Sequence, residues 1–454
     1  MRRTAAIVVC AILAVGTAVA GRVGADAAPA PARSAVTQRQ ASTAPRSVMY
    51  VGNNWAGTAN VIDARTFAKV GRVNVVPDYA ARMAEIQSDP QRLAYFLVIR
   101  EQIGEGHDQL VDDMFSTPDG KILAVSRPSF ADVVGINLRT RKIVWRFKMH
   151  GQRADHMAVN PRGTRLLVSD STANHVDELD LRTGKPLRQF ASGDTPHESN
   201  YSKDGSRIFH ASIGRIYTPT DPSMTCPQPD PSKGDQRFQI VSNKTFQVLR
   251  QWDIGKKLAE AGFPCMASAV RPMAISPDER TAYLQISFFH GYVAFDLRRG
   301  VVSQVVPLPQ SAAARQTPKS QYVLNSAHHG LAISHDGSRL CVAGTMDDYV
   351  GLVDVANPQH RRIFPLPHTG DRPYWATNGP GGGRCWVSIA GDDRVNVYSY
   401  ATRRRVASLT VGDHPQRVRP GALSVAAQRA WRSGASKFSP PQTGAGAQLP
   451  LAAP

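Results

Sequence analysis

Residues 155–190 read DHMAVNPRGTRLLVSDSTANHVDELDLRTGKPLRQF. HMAV opens a strand, and NPRG is a tight turn with Pro and Gly where turn chemistry wants them. RLLVSD is a second, apolar strand. After the small polar STAN comes HVDELDL, then the turn RTGK, then PLRQF. Short or alternating apolar runs broken by Gly, Pro, Asn and Asp are strand signals, so the stretch predicts four short antiparallel strands.

The unit recurs. Its second-strand entry returns as TPDGKILAVS (117–126), SKDGSRIFHAS (202–212), SPDERTAYLQIS (276–287), SHDGSRLCVAG (334–344) and, degenerate, NGPGGGRCWVS (378–388). Its last hairpin returns as VIDARTFAKV, INLRTRKIVW, FDLRRGVVSQ, VDVANPQHRR and YSYATRRRVA. The turn residues Asp119, Arg162, Asp204, Asp278, Asp336 and Gly379 are spaced 43, 42, 74, 58 and 43 apart. A basic period of 40–45 residues with four strands per repeat predicts a β-propeller. The two long intervals are the same unit carrying insertions.

Residues 48–76 hold only three strands of a first unit, and DHPQRVRPGALSV (413–425) supplies the missing inner one. This closure predicts an all-β, seven-bladed propeller over 48–425, the other blades being 107–149, 151–192, 193–254, 266–309, 322–367 and 368–411. Closing the ring leaves few exposed sheet edges. The phrases LLVSD…HVDELDLRTGK and MYVGNN…NVIDARTF resemble the YVTN repeat of YncE-like propellers, a superfamily that includes lactonase-like and amine-dehydrogenase-like proteins. The resemblance covers roughly 48–425 and is specific for fold. For activity it implies only analogy: lactone hydrolysis, elimination or cyclisation at rim His and acidic residues.

The chain starts MRRTAAIVVCAILAVGTAVA. Two arginines, an apolar run shorter than a membrane span and small-residue sites predict a secretory signal peptide over 1–27. Ala/Pro/Ser-rich 28–47 reads as a disordered linker and 426–454 as a disordered tail. The charge is +18 over 454 residues. That suggests weak affinity for an anionic cell envelope at most. No nucleic-acid motif accompanies it, and a monomer that meets a small-molecule ligand is expected.

Residues 77–106, with apolar Leu93, Phe96, Leu97 and Ile103, suggest helix between blades one and two. Residues 255–265 and 310–322 make equivalent outer-to-inner connections, and 214–236 joins the second and third strands of blade four. All four emerge on one rim, where function tends to live. Of five cysteines, Cys226 and Cys265 lie in neighbouring insertions and are expected to be bridged in a secreted protein. Cys341 and Cys385 fall on facing sides of successive blades, as a disulfide or as two buried thiols.

Counting back seven residues from each turn finds the mouth of the central channel: Asp112, Asp155, His197, Arg271 and His329. Aligning DRPYW and DHPQR with VRPMA adds Arg372 and His414, with Asp113, His156, Glu198 and His328 behind. Histidine carries protons near neutral pH, and arginine clamps carboxylate or phosphate. The expected chemistry is acid–base work by His197 or His329, oriented by Asp112, Asp155 or His156. Arg271, Arg372 and His414 would hold an anionic group, with a divalent metal as an open alternative and no certain cofactor. The competing readings are blade-to-blade ion pairs, a non-catalytic ligand-binding propeller and an interaction platform. G-x-S-x-G, HExxH, phosphate-loop and EF-hand patterns are absent from the sequence.

Overall fold

A computed structural model describes residues 44–215 and 233–443. The expected signal peptide, most of the linker, Cys226 and the end of the tail lie outside these residues. Seven four-stranded antiparallel sheets make up the fold. Blade one takes its innermost strand, Pro415–Leu423, from the far end of the chain; it pairs with Arg46–Asn53 from Arg46↔Leu423 to Asn53↔Pro415. The remaining blades run in sequence order from the inside out.

Strand position explains strand composition. In blade three, Arg165–Asp170 is buried almost throughout, because neighbouring blades cover both its faces. The outermost Pro186–Ala191 is mostly exposed and correspondingly polar. The third-to-fourth hairpins share one turn. Asp180 Oδ1 accepts from the N–H groups of Arg182 and Thr183, and Gly184 closes the turn at φ 70°. Asp63 does the same before Phe67, and Asn137 before Arg141, both also left-handed. The side-chain acceptor stabilises the turn enough to hold non-glycine residues in a conformation they rarely adopt.

Packing between blades supplies the core. Blades four and five meet through Phe238, Trp252 and Phe295, with ring centroids 5.2–5.9 Å apart. Blades six and seven share Cys341, Val350, Leu352, Val387 and Tyr398, and are stapled by a Cys341–Cys385 disulfide with a Cα separation of 6.5 Å. Of the two arrangements open to these cysteines, the structure has the bridge. Cys265 is also disulfide-bonded; the pairing expected with Cys226 falls on a residue outside the described ones.

The blade one–two insertion is helical, as its apolar spacing suggests, over Tyr79–Gln87 and Pro90–Gln102. Asp89 caps the second helix by accepting from Gln91 and Arg92. Shorter helices, Ile254–Glu260 and Ala312–Gln316, occupy the other two outer-to-inner connections. The segment expected to open a disordered tail differs: Val425–Arg432 is a helix capped by Ser424. Trp431 anchors it, donating from Nε1 to the Leu138 carbonyl at 2.7 Å and lying under the Arg141 guanidinium. Compositional bias hid this helix because one aromatic anchor outweighs several small residues.

Candidate functional site

Each innermost strand carries the same irregularity at the channel mouth. Two residues oppose one on the next strand, a β-bulge that turns both side chains out of the regular pleat. The register breaks at Ala154/Met157, Pro196/Ser199, Val270/Met273 and Pro373/Ala376, and opposite Val51/Asn53 in blade one. The bulged pairs are Asp155–His156, His197–Glu198, Arg271–Pro272, Tyr374–Trp375 and Gln416–Arg417. Asp112–Asp113 and His329–Gly330 take the same place in blades two and six, flanking Ser126 and Ala343 in backbone hydrogen bonds.

Five of the seven mouth positions expected from sequence are therefore in place. Two are not. In blades seven and one the mouth residues are Tyr374 and Gln416, each two positions beyond the expected Arg372 and His414. The x-Pro step misled the alignment: in VRPMA the proline lies inside the bulge, whereas in TPHES, RPYWA and HPQRV it precedes it. Thr195, Arg372 and His414 instead adopt left-handed φ of 49–52°. Each is held by its N–H donating to a side chain of the preceding blade, from Asn174, Asp348 and Asp393 respectively. The Arg372 side chain turns to Glu105, and His414 stacks on Trp55 at 3.7 Å. His328 also leaves the mouth, donating from a separate cluster to Asp347 at 2.8 Å.

Arg417, missed in the sequence because it lies in the closing strand, organises the centre. Its Nη2 lies 3.2 Å from Asp112 Oδ1 and contacts His156 Nε2. His156 Nδ1 is in turn 2.7 Å from Glu198 Oε2. One chain of charged and polar groups thus joins blades two, one, three and four. Asp113 takes a bidentate bond from Arg419 at 2.6 and 2.8 Å. Arg417 and Arg419 both lie over Trp375, at 4.2 and 4.6 Å from its ring. Asp155 accepts from Arg153 and from Ser171 Oγ. His197 lies 3.9 Å from His156, ring to ring, and His329 stacks on Tyr374 at 4.0 Å.

These groups enclose a narrow cavity. Ile103 from the blade one–two insertion and Leu324, just past the blade five–six insertion, line it; no residue of 255–265 does. The space left admits little more than a water-sized group. Among the described residues, Arg417 Nε and Nη1 and His197 Nδ1, both residues lining the cavity, are buried without a hydrogen-bond partner, as is Asp155 Oδ1 next to His156 in the chain.

Burial shifts the protonation of nearly every group present. It pushes the Asp112 carboxyl up to about 7 although Arg417 pulls the other way, and it pushes Glu198 up to about 7 against Arg419 and Arg417. Burial first, then neighbouring guanidiniums, holds His156, His197 and His329 neutral well below the usual imidazole range. Tyr374 is pushed up to about 12 by burial. Carboxyls and imidazoles brought toward one another's range are what proton transfer requires.

A pH dependence of stability follows. Burial lowers His156, His197, His328 and His329, and takes His210 and His414 down to about 3. As pH falls through the ordinary imidazole value of about 6.5, the unfolded chain takes up protons that the folded chain refuses, so stability is lost. Asp112 and Glu198 act with the opposite sign, because the folded state keeps protons that the unfolded chain has released. The raised His175 and the smaller upward shifts of Asp170, Asp348 and Asp413 subtract further. Six imidazoles outweigh these, so urea unfolding should give lower stability at pH 5 than at pH 7. Equal or greater stability at pH 5 would show that the imidazoles are protonated in the fold.

Four groups of His and Asp have ligand atoms close enough together to hold a metal: His150/His175/Asp177, His290/His328/Asp347, Asp112/Asp155/His156 and His368/Asp371/Asp392. The third belongs to the channel mouth, where Arg417 and Arg153 oppose a second cation. No family model matches the chain, and no curated protein does. Many solved chains match it in structure. One is Kuenenia stuttgartiensis hydrazine synthase, to which this chain is similar at a TM-score of 0.47 and 15% identity, over 66% of this chain and 86% of that one.

Proposed function

We propose that this propeller takes the anionic group of a small carboxylate-bearing molecule at the narrow channel mouth, the rest of the molecule lying outside it, and moves a proton on it. The observation that carries the reading is Arg417: a fully buried guanidinium with two N–H groups unpartnered beside the unpartnered His197 Nδ1. A buried donor left unsatisfied costs about 1–3 kcal/mol, a cost that a bound anion removes. His197, which lines the same cavity, is the proton carrier. Arg271 adds a second guanidinium to the cavity wall, its Nε donating to Ser287 Oγ at 2.9 Å. The YVTN-like phrases support a small-molecule hydrolase or lyase by analogy. The N-terminal pattern and the disulfides support an extracytoplasmic protein.

The test is a thermal-shift and calorimetric screen of small hydroxy and amino carboxylates against the full-length protein. At a hundredfold excess over Kd a true ligand stabilises by about 2.7 kcal/mol. His197→Ala should keep the binding and lose turnover, since removing a general acid or base costs about 10²–10⁴-fold in rate. Absence of any carboxylate response in the folded protein would refute the reading.

A further inference from the structure

A second cluster lies on the same rim, where the connection from blade two enters blade three. Asp170 ends the second strand of blade three, His175 opens the third directly opposite it, and Asp177 is two residues on, on the same face. His150 reaches over from the connection. His175 Nε2 is 3.3 Å from Asp177 Oδ2 and 3.9 Å from Asp170 Oδ2; His150 Nε2 is 3.9 Å from Asp177 Oδ1.

Blades one and two show how polar residues at this place are matched. In blade one the equivalent residues are Asn53, Thr58 and Asn60, joined by hydrogen bonds of 2.7 and 2.8 Å from the Asn53 amide. In blade two they are Arg127 and Asp132, a bidentate pair with both bonds at 2.7 Å. Both sets are donor-to-acceptor matched. Blade three instead converges acceptors. The His175 Nδ1 faces the Ala173 carbonyl at 3.1 Å, and a carbonyl can only accept, so that nitrogen carries a hydrogen and, in the neutral ring a metal would bind, Nε2 turns its lone pair toward the carboxylates. Among the described residues, His175 Nε2, Asp170 Oδ1 and Asp177 Oδ2 are all buried without a hydrogen-bond partner.

We infer that His150, His175 and Asp177, whose ligand atoms lie within 4.8 Å of one another, form a zinc-class metal site that fastens the blade two–three connection to blade three, with Asp170 beside His175 as the fourth ligand. Ligands on a tetrahedral zinc, each about 2.0–2.2 Å from the ion, sit roughly 3.4 Å apart, against 3.3 and 3.9 Å from Asp177 to His175 and His150, and 3.9 Å from Asp170 to His175. Two imidazoles favour zinc, cobalt or nickel over calcium and magnesium. A closed set of four makes the site structural, independent of the channel chemistry. The surroundings already orient the ligands. Gly151 N–H donates to Asp170 Oδ2 at 2.8 Å, and a Cβ on Gly151 would lie 2.2 Å from Asp170 Oδ1, so the connection can pass the carboxylate only as glycine. The His290/His328/Asp347 cluster differs, because Asp347 is already satisfied by both imidazoles and the Ser311 N–H.

The test uses full-length protein without a histidine tag, stripped with chelator and titrated with zinc chloride against a chromophoric competitor, then with cobalt for its absorption spectrum. One equivalent should bind, raise the melting temperature and give the intense visible bands of tetrahedral cobalt. His150 is largely exposed, with 60% of its side chain accessible, so His150→Ala leaves the fold intact. It should weaken zinc by about 10–100-fold or more and alter the cobalt spectrum. Asp177→Asn should abolish the zinc-induced shift. No uptake at one equivalent by the wild type, preference for calcium over zinc, or unchanged zinc affinity in both variants would each overturn the assignment. The last outcome would leave His175 as an imidazolium paired with the two carboxylates.

Discussion

A chain ending at Asp413 is expected to yield no folded monomer. The deletion removes Pro415–Leu423, the inner strand of blade one, and leaves Arg46–Asn53 as an unpaired apolar edge running along the channel. Such an edge is a template for pairing with another chain. The same deletion strands Asp112 and Asp113, whose buried partners Arg417 and Arg419 both lie on the lost strand. It also removes the Trp431 anchor across blades one and two. Circular dichroism should show no cooperative melt, and size exclusion should show oligomers. A peptide covering 412–443 added during refolding should restore the monomer. A truncated chain that melts within a few degrees of the full-length protein would show that six and three-quarter blades suffice, and that the closing strand is dispensable.

Arg417→Met is expected to cost about 3–5 kcal/mol, the usual effect of leaving one member of a buried charge pair without its partner. Partial protonation of Asp112, already poised near 7 by burial, sets the lower end of that range at neutral pH. Combining Arg417→Met with Asp112→Asn should recover much of the loss, since neither charge then remains buried alone. The two substitutions are in contact and will not add, so a double-mutant cycle measures their coupling directly. The double variant also separates fold from site: it should fold and yet bind no carboxylate. If it folds and binds as the wild type does, Arg417 is only a clasp between blades. If Arg417→Met alone costs less than about 1 kcal/mol, the pair is too well solvated to have been a buried one.

The blade pattern was legible because tight turns demand particular residues. NPRG and DLRTG announce their hairpins whatever the surrounding strand contains. The mouth was legible wherever the inner strand follows its turn by a constant count, which placed Asp112, Asp155, His197, Arg271 and His329. It failed in RPYWA and HPQRV, where the proline precedes the bulge rather than lying inside it, so matching it to VRPMA put Arg372 and His414 two residues early. Arg417 and Arg419 were invisible for a different reason. Their importance comes from meeting Asp112 and Asp113 some 305 positions away in sequence, and a one-dimensional period carries no signal for that. The blade-three cluster was hidden likewise, because His150 belongs to a connection and Asp170 to a strand end whose residue changes from blade to blade, Asn53 and Arg127 in the first two and Ile286 or Gly344 further on. The Val425–Arg432 helix was lost to composition, which averages away a single tryptophan.

Ring closure also fixes a waiting time. The strand Arg46–Asn53 is among the first parts of the propeller to be made, and its inner partner is among the last. At ribosomal rates of about 5–20 residues per second, blade one stays open for roughly 20–70 s while the other six are completed. For that interval the nascent chain must keep one sheet edge from its own later strands and from its neighbours. The geometry of the finished ring therefore sets a demand on the holding machinery of the cell that no single blade would impose.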